Sequence, residues 1–161
     1  MTQTPYNPPC GGLPAQTALM TGRAVFTEAY AVIPYGVMSD IVTSFLPGWQ
    51  GTRAWILARP LSGFAETFAQ YLMEVAPGGG SDSPEPETQA EGVIFVVDGG
   101  PHLECAGRTH ALRPGSFAYL PPGAPWRLRN DGAAPARFHW IRKRYQPAPG
   151  LGVPDAVVTH E

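Results

Sequence analysis

The chain lacks the features that mark most small disulfide-linked, thiol-dependent or membrane proteins. Its 161 residues include two cysteines, Cys10 and Cys105, which are far apart and form no Cys-x-x-Cys pair. Neither a disulfide scaffold nor a thiol enzyme is therefore indicated. No apolar run approaches the length of a membrane span, and the N-terminus has no basic-then-apolar leader. We expect a cytoplasmic protein with no membrane partner.

Charge is equally scarce, with 11 basic and 13 acidic residues and a formal net charge of −2. This balance offers no electrostatic reason to expect nucleic acid as a partner. The single basic run, residues 142–144, is interpreted as the solvated end of a strand, with a phosphate contact or a subunit salt bridge as alternatives.

Histidines are few and dispersed, and none of the four lies within three residues of another. No His-x-His or His-x(3)-His ligand pair exists, and no nucleophile elbow, phosphate-binding loop or dinucleotide fingerprint is present. We therefore assign no catalytic residue and no metal ligand in this chain.

Turn-forming residues are what the chain has in abundance, with 19 glycines and 19 prolines, while 43% of its residues are hydrophobic. This composition predicts many short strands around one core, and hence a single all-β domain that is an antiparallel sandwich or barrel. We predict an N-terminal arm at residues 1–13, a barrel at 14–146 and a linker at 147–161. The predicted strands are 25–33, 41–46, 52–58, 92–97, 116–120, 126–129 and 137–141, with a hairpin at 102–105 and 108–112.

Five residues of the C-terminal half follow a specific frame. Gly115, Pro121, Gly123, Trp126 and Asn130 fall at the spacing G-x(5)-P-x-G-x(2)-W-x(3)-N. This resembles the second signature of the cupin superfamily, in which a metal-binding histidine stands at the tryptophan position. The resemblance implies a cupin-type antiparallel jelly-roll barrel.

An upstream frame resembles the first cupin signature. Gly79, Glu85, Glu87, Gly92 and Gly99 follow G-x(5)-E-x-E-x(4)-G-x(6)-G, where the signature has two histidines and a glutamate at the positions of Glu85, Glu87 and Gly92. Glycine has no donor side chain and indole offers no lone pair, so positions 92 and 126 cannot bind a metal. The two glutamates could hold a hard cation, but a solvated loop is the favoured interpretation.

An apolar pocket at the erased metal position is one interpretation of the aromatic residues nearby. Tyr71, Phe95, Tyr119 and Trp126 would wall it, and His139 would line it or be a structural histidine. The alternative is a barrel filled with side chains, as small barrels normally are.

Residues 64–75 are ambiguous. Apolar side chains at 64, 68, 71, 72 and 75 form a helical stripe, whereas alternation at 69, 71, 73 and 75 supports a strand. The cupin resemblance places a strand here, and we predict one. Residues 77–90 are predicted to be a polar loop.

Nearly the whole chain resembles one family, the bicupin (S)-ureidoglycine aminohydrolases. The matching segments are 21–26 (TGRAVF), 33–37 (IPYGV), 79–99, 112–123 (LRPGSFAYLPPG) and 138–145 (FHWIRKRY). The resemblance implies a hydrolase of purine and allantoin catabolism that converts ureidoglycine to ureidoglycolate and ammonia. In that family the N-terminal cupin lacks metal, and the C-terminal cupin binds manganese and performs the chemistry.

The erased ligand positions are similar to those of the family's N-terminal cupin. The resemblance therefore implies a half without catalytic residues, inactive by itself, whose partner is a second cupin domain or a like subunit in a homo-oligomer. A small ureide is a candidate ligand. The alternative is a free-standing, metal-free cupin that binds a small molecule or mediates assembly.

Overall fold

A computed structural model of the chain describes residues 25–26, 30–34, 43–58 and 67–161. The chain divides into two units, Met1–Ile41 and Val42–Glu161. In the first unit, β1 (Val25–Phe26) pairs antiparallel with β2 (Ala31–Val32), within the strand predicted at 25–33. The arm predicted at 1–13 lies outside the described residues.

The second unit is a nearly closed antiparallel barrel, which confirms the predicted all-β jelly-roll architecture. Its strand order is β11-β8-β5-β10-β4-β9-β6-β7, and β3 also pairs with β4. Across the part of the chain that the structure describes, no helix is long and apolar enough to cross a membrane. The strands are β3 (Gln50–Ala58), β4 (Ala69–Ser81), β5 (Ala90–Asp98), β6 (His102–Cys105), β7 (Arg108–Ala111), β8 (Ser116–Leu120), β9 (Trp126–Arg129), β10 (Ala136–Arg144) and β11 (Val157–His160).

Strand β4 confirms the strand predicted over residues 64–75, as far as the structure describes these residues. It also corrects the loop predicted at 77–90. The strand continues through residues 77–81 because its end pairs with β9, with Gly80 opposite Arg129. Gly80 has φ +142, and a Cβ there would lie 2.1 Å from the carbonyl oxygen of Leu128. Only glycine permits this approach, and a pairing so distant in sequence leaves no trace in local composition.

Strict alternation along the strands directs one side chain in two into the barrel. In β10, Phe138 and Trp140 are buried while His139 between them is partly exposed. The buried rings form an aromatic cluster around Trp49, whose centroid lies 5.7 Å from that of Trp140, 6.1 Å from that of Phe138 and 6.3 Å from that of Trp126. Such offset and edge contacts add stabilisation beyond burial alone.

The C-terminal segment corrects the linker predicted at 147–161. Val157–His160 forms β11, which pairs with β8 from Val157 opposite Tyr119 to His160 opposite Ser116. Ala156 and Val158 pack against the core, so this short segment covers the edge of β8. The edge of β8 supplies the pairing partners of this strand, and local composition does not reveal them.

Candidate functional site

The four positions where the cupin signatures carry metal ligands meet in space. Glu85 and Glu87 lie in the β4–β5 connection, Gly92 lies in β5, and Trp126 begins β9. All four line one cavity of about 120 Å³ in the barrel. The other described residues that line it are Thr88, Ala90, Leu120, Pro121, Gly123, Ala124, Pro125 and Trp140.

Gly92 leaves room for the indole of Trp140 to face the cavity. A Cβ at position 92 would lie 3.3 Å from Trp140 Nε1, and the backbone there is not in the left-handed region. Trp140 is 2% exposed. Within the described part of the chain, its Nε1 has no hydrogen-bond acceptor. The cavity therefore has a buried donor in its wall.

Glu85 is held inside the site, which corrects its interpretation as a solvated loop residue. Its side chain is 12% exposed, and its Oε1 accepts from the backbone N–H of Glu87 at 2.9 Å and from Arg142 Nη2. Its Oε2 is buried and has no donor among the described residues. Arg142 points inward because it pairs with Gly92 across β5 and β10, and paired residues share one face of a sheet.

The basic run at 142–144 is likewise not simply a solvated strand end. Arg142 pairs with Glu85, Lys143 Nζ lies 3.4 Å from Glu91 Oε1, and Arg144 donates to Gln89. Each of the three cations thus contacts the segment 85–91, and together they bind this segment to β10.

Electrostatics at Glu85 are set by two opposing influences. Burial raises the pKa of the Glu85 carboxyl above its ordinary value, while the backbone N–H of Glu87 and the Arg142 guanidinium act in the opposite direction. The net upward direction of the pKa means that burial, together with the nearby Glu87 charge, outweighs the Glu87 backbone N–H and the Arg142 guanidinium.

The donor set does not fit a transition metal. Such a site needs three or four imidazole, thiolate or carboxylate ligands. Here Gly92 and Trp126 supply none, and Glu85 Oε1 is already taken by two donors. Among the described residues, no three His, Cys, Asp or Glu side chains are grouped as ligands.

Of the five residues predicted to line a pocket, all of them described, Trp126 alone lines this cavity. Tyr71 packs on Trp140 with ring centroids 5.6 Å apart, so it belongs to the filled core. Phe95 is 37% exposed and pairs with His139 on the outer face of the sheet. Tyr119 is partly exposed and donates to Glu91 Oε2 at 2.9 Å. A filled barrel core with a cavity at the signature positions describes these residues better than an aromatic pocket.

Two of these residues, neither of which lines the cavity, have a pKa that is shifted from its ordinary value. Burial lowers the pKa of His139, whose Nδ1 lies 3.3 Å from Gln70 Nε2. Burial, and then the hydrogen bond to Glu91, raises the pKa of Tyr119 to about 12.

Sequence reasoning missed Trp140 and Arg142 as site residues. Alternation in β10 places Trp140 on the inner face with Phe138, and Arg142 follows at the next inward position. That periodicity was available from the sequence. The register of β10 against β5, which brings both residues to Gly92, was not.

The fold and the altered ligand frame together define a class: a cupin barrel whose metal positions carry residues that do not fit a transition metal. Residues 71–142 match the family model described as "Cupin domain", and the chain carries a cupin domain.

The chain is similar to several particular proteins. The chain is 28% identical over 134 residues to the (S)-ureidoglycine aminohydrolase of Escherichia coli, across 82% of this chain and 49% of that protein. A crystal structure of a Pseudomonas aeruginosa protein called glyoxylate induced protein is 55% identical, with a TM-score of 0.80, covering 99% of this chain and 57% of the other. Protein Ylba from E. coli is 25% identical, with a TM-score of 0.76, covering 91% and 59%. The chain thus spans about half the length of these relatives.

Proposed function

We propose that this chain serves as the metal-free cupin of a two-cupin (S)-ureidoglycine aminohydrolase. The observation that carries the proposal is the similarity to the E. coli enzyme, which extends over 82% of this chain and 49% of the enzyme. A metal-bearing second cupin, on the same polypeptide or another, would hydrolyse ureidoglycine to ureidoglycolate and ammonia. Manganese would be held there and not in this barrel.

The barrel contributes structure to that assembly. Its cavity offers no set of metal ligands, and the described residues that line it include no histidine, cysteine or serine, so no chemical step is assigned to it. Its role would be to support the second barrel in the cytoplasm, as part of an oligomer.

An apolar row on the outer face of the sheet supports this role. Cross-strand pairs run from Trp55 through Leu72, His139 and Phe95 to Phe117, across β3, β4, β10, β5 and β8. None of the five is fully buried. The row is apolar except for His139, and an exposed, largely apolar surface of this kind is typical of one that a protein partner covers. We assign it to the second barrel or to a like subunit that takes its place.

Three measurements on the purified chain test the proposal. Alone, it should release no ammonia from ureidoglycine and should carry no stoichiometric manganese or zinc after gel filtration. Ammonia release at an enzyme-like rate that a chelator abolishes would overturn the assignment, and so would about one metal ion per chain.

The third measurement concerns assembly. Sedimentation at about tens of micromolar should show self-association, because the row would then be covered by a like subunit. Phe95→Glu should weaken that association, whereas Leu151→Glu, the same change at an exposed position outside the row, should not. A chain that stays strictly monomeric would count against the assembly role.

A further inference from the structure

Two buried polar atoms belong to residues that line the same cavity and have no partner within the described part of the chain. They are Nε1 of Trp140 and Oε2 of Glu85. Buried polar atoms in folded proteins nearly always find a partner, because desolvation without a compensating hydrogen bond is unfavourable. The cavity that these two residues line is therefore expected to be occupied in solution.

The two atoms specify complementary chemistry. An indole N–H only donates, and a carboxylate oxygen only accepts. A small occupant that satisfies both must present an acceptor and a donor. Arg142 already neutralises Glu85, so the site does not require a charged occupant. Leu120, Pro125 and Trp126 supply apolar contacts beside these polar atoms.

Size limits the occupant further. A cavity of roughly 150 Å³ accommodates one benzene-sized molecule. At about 120 Å³, this cavity suits a molecule of about four to six non-hydrogen atoms, or the end of a longer one. Gly92 is what keeps this space open, since a Cβ there would lie 3.3 Å from Trp140 Nε1.

We propose that this cavity is a binding site for a small neutral amide or urea group, which accepts from Trp140 Nε1 and donates to Glu85 Oε2. A carboxylate would bring only acceptors against Glu85, and an ammonium ion would leave the Trp140 N–H unpaired. The proposal rests on the cavity alone and stands whether or not the chain pairs with a second barrel.

The test uses the full chain labelled with ¹⁵N and follows the indole N–H signals of its 4 tryptophans by NMR. Acetamide is the probe, because it carries both the donor and the acceptor. Acetone has the same number of non-hydrogen atoms but no donor, and acetate replaces the amide by a charge. Acetamide should shift the Trp140 signal saturably with a dissociation constant of about 1–10 mM, the range open to so small a molecule. Acetone and acetate should bind about tenfold more weakly or worse.

Three variants assign the binding to these atoms. Glu85→Gln removes the charged acceptor and should weaken acetamide binding about tenfold. Glu104→Gln is the matched control: it makes the same change at a partly exposed glutamate that is also paired with an arginine, Arg127 at 3.1 Å, but does not line the cavity, and it should stay within about twofold. Gly92→Ala should abolish saturable binding by filling the space, and Glu85→Gln decides alone if that variant does not fold.

Three results would overturn the proposal. The first is no saturable shift with acetamide, which would mean that ordered water alone fills the cavity. The second is equal affinity for acetamide and acetone, which would remove the donor requirement. The third is an equal loss in Glu85→Gln and Glu104→Gln, which would make the effect one of general charge.

Discussion

Asn130, the last residue of the second signature frame, should be among the most sensitive positions of the barrel. It is 0% exposed, and its Nδ2 donates to the carbonyl oxygens of Val75 at 2.8 Å and Ala134 at 2.9 Å. Its Oδ1 accepts from the Gly132 backbone N–H at 3.1 Å. One side chain thus joins the β9–β10 turn to β4.

The effect of Asn130→Ala follows from where those three partners lie. Val75 is fully buried, so its carbonyl loses a bond that water cannot easily replace, at about 1–3 kcal/mol. Gly132 and Ala134 are exposed, and water would take over much of their bonding, which leaves a loss of about 0.5–1 kcal/mol for each. We expect a destabilisation of about 2–5 kcal/mol, a large share of the about 5–15 kcal/mol of a typical domain.

Urea unfolding of Asn130→Ala and of Asp131→Ala measures this effect. Asp131 is the adjacent, exposed residue, and its contact is the pairing with His102 at 3.1 Å, so its loss should cost about 1 kcal/mol or less. The slope of unfolding free energy against urea should stay unchanged, so that the midpoint reports stability. If Asn130→Ala lowers the free energy of unfolding no more than Asp131→Ala does, the buried hydrogen bonds of the Asn130 side chain do not hold the turn, and the reasoning is refuted.

Two pH-dependent effects are also expected. Burial lowers the pKa of His139 in the folded chain, so near the ordinary value of 6.5 the unfolded chain binds more protons at this residue than the folded chain does. The stability linked to neutral His139 is therefore present above that pH and is lost as the pH falls through the lowered pKa. Urea midpoints from about pH 7 to 5 should therefore fall less in His139→Gln than in the unaltered chain, and parallel curves would contradict this. Tyr119, with its pKa raised to about 12, should ionise last in an absorbance titration of tyrosinate, and Tyr119→Phe should remove that late step. An unchanged late step of tyrosinate formation in Tyr119→Phe would refute the assignment. The folding stability linked to the Tyr119 hydroxyl is present below about pH 10 and is lost as the pH rises through about 12.

The amino-acid sequence by itself determined the fold class and the positions of most strands of the barrel. Turn residues and apolar alternation are local properties, and the predicted strands at 116–120 and 126–129 coincide with β8 and β9. It also determined that the metal frame had lost its donors, because the absence of a side chain at Gly92 or of a lone pair on Trp126 is a property of the residue alone.

Only the tertiary structure decided which residues meet at the positions where the cupin signatures carry metal ligands. Glu85 and Arg142 are 57 residues apart and meet because the register of β5 against β10 places Arg142 opposite Gly92. The extension of β4 to Ser81 and the pairing of β11 with β8 likewise depend on partner strands distant in sequence. Local patterns report the periodicity of one strand, whereas register and burial are set by the free energy of the whole barrel. The sequence therefore showed that positions 92 and 126 of the signature frames carry no metal donor, and the packed barrel placed there a cavity lined by a donor and an acceptor that have no partner among the described residues.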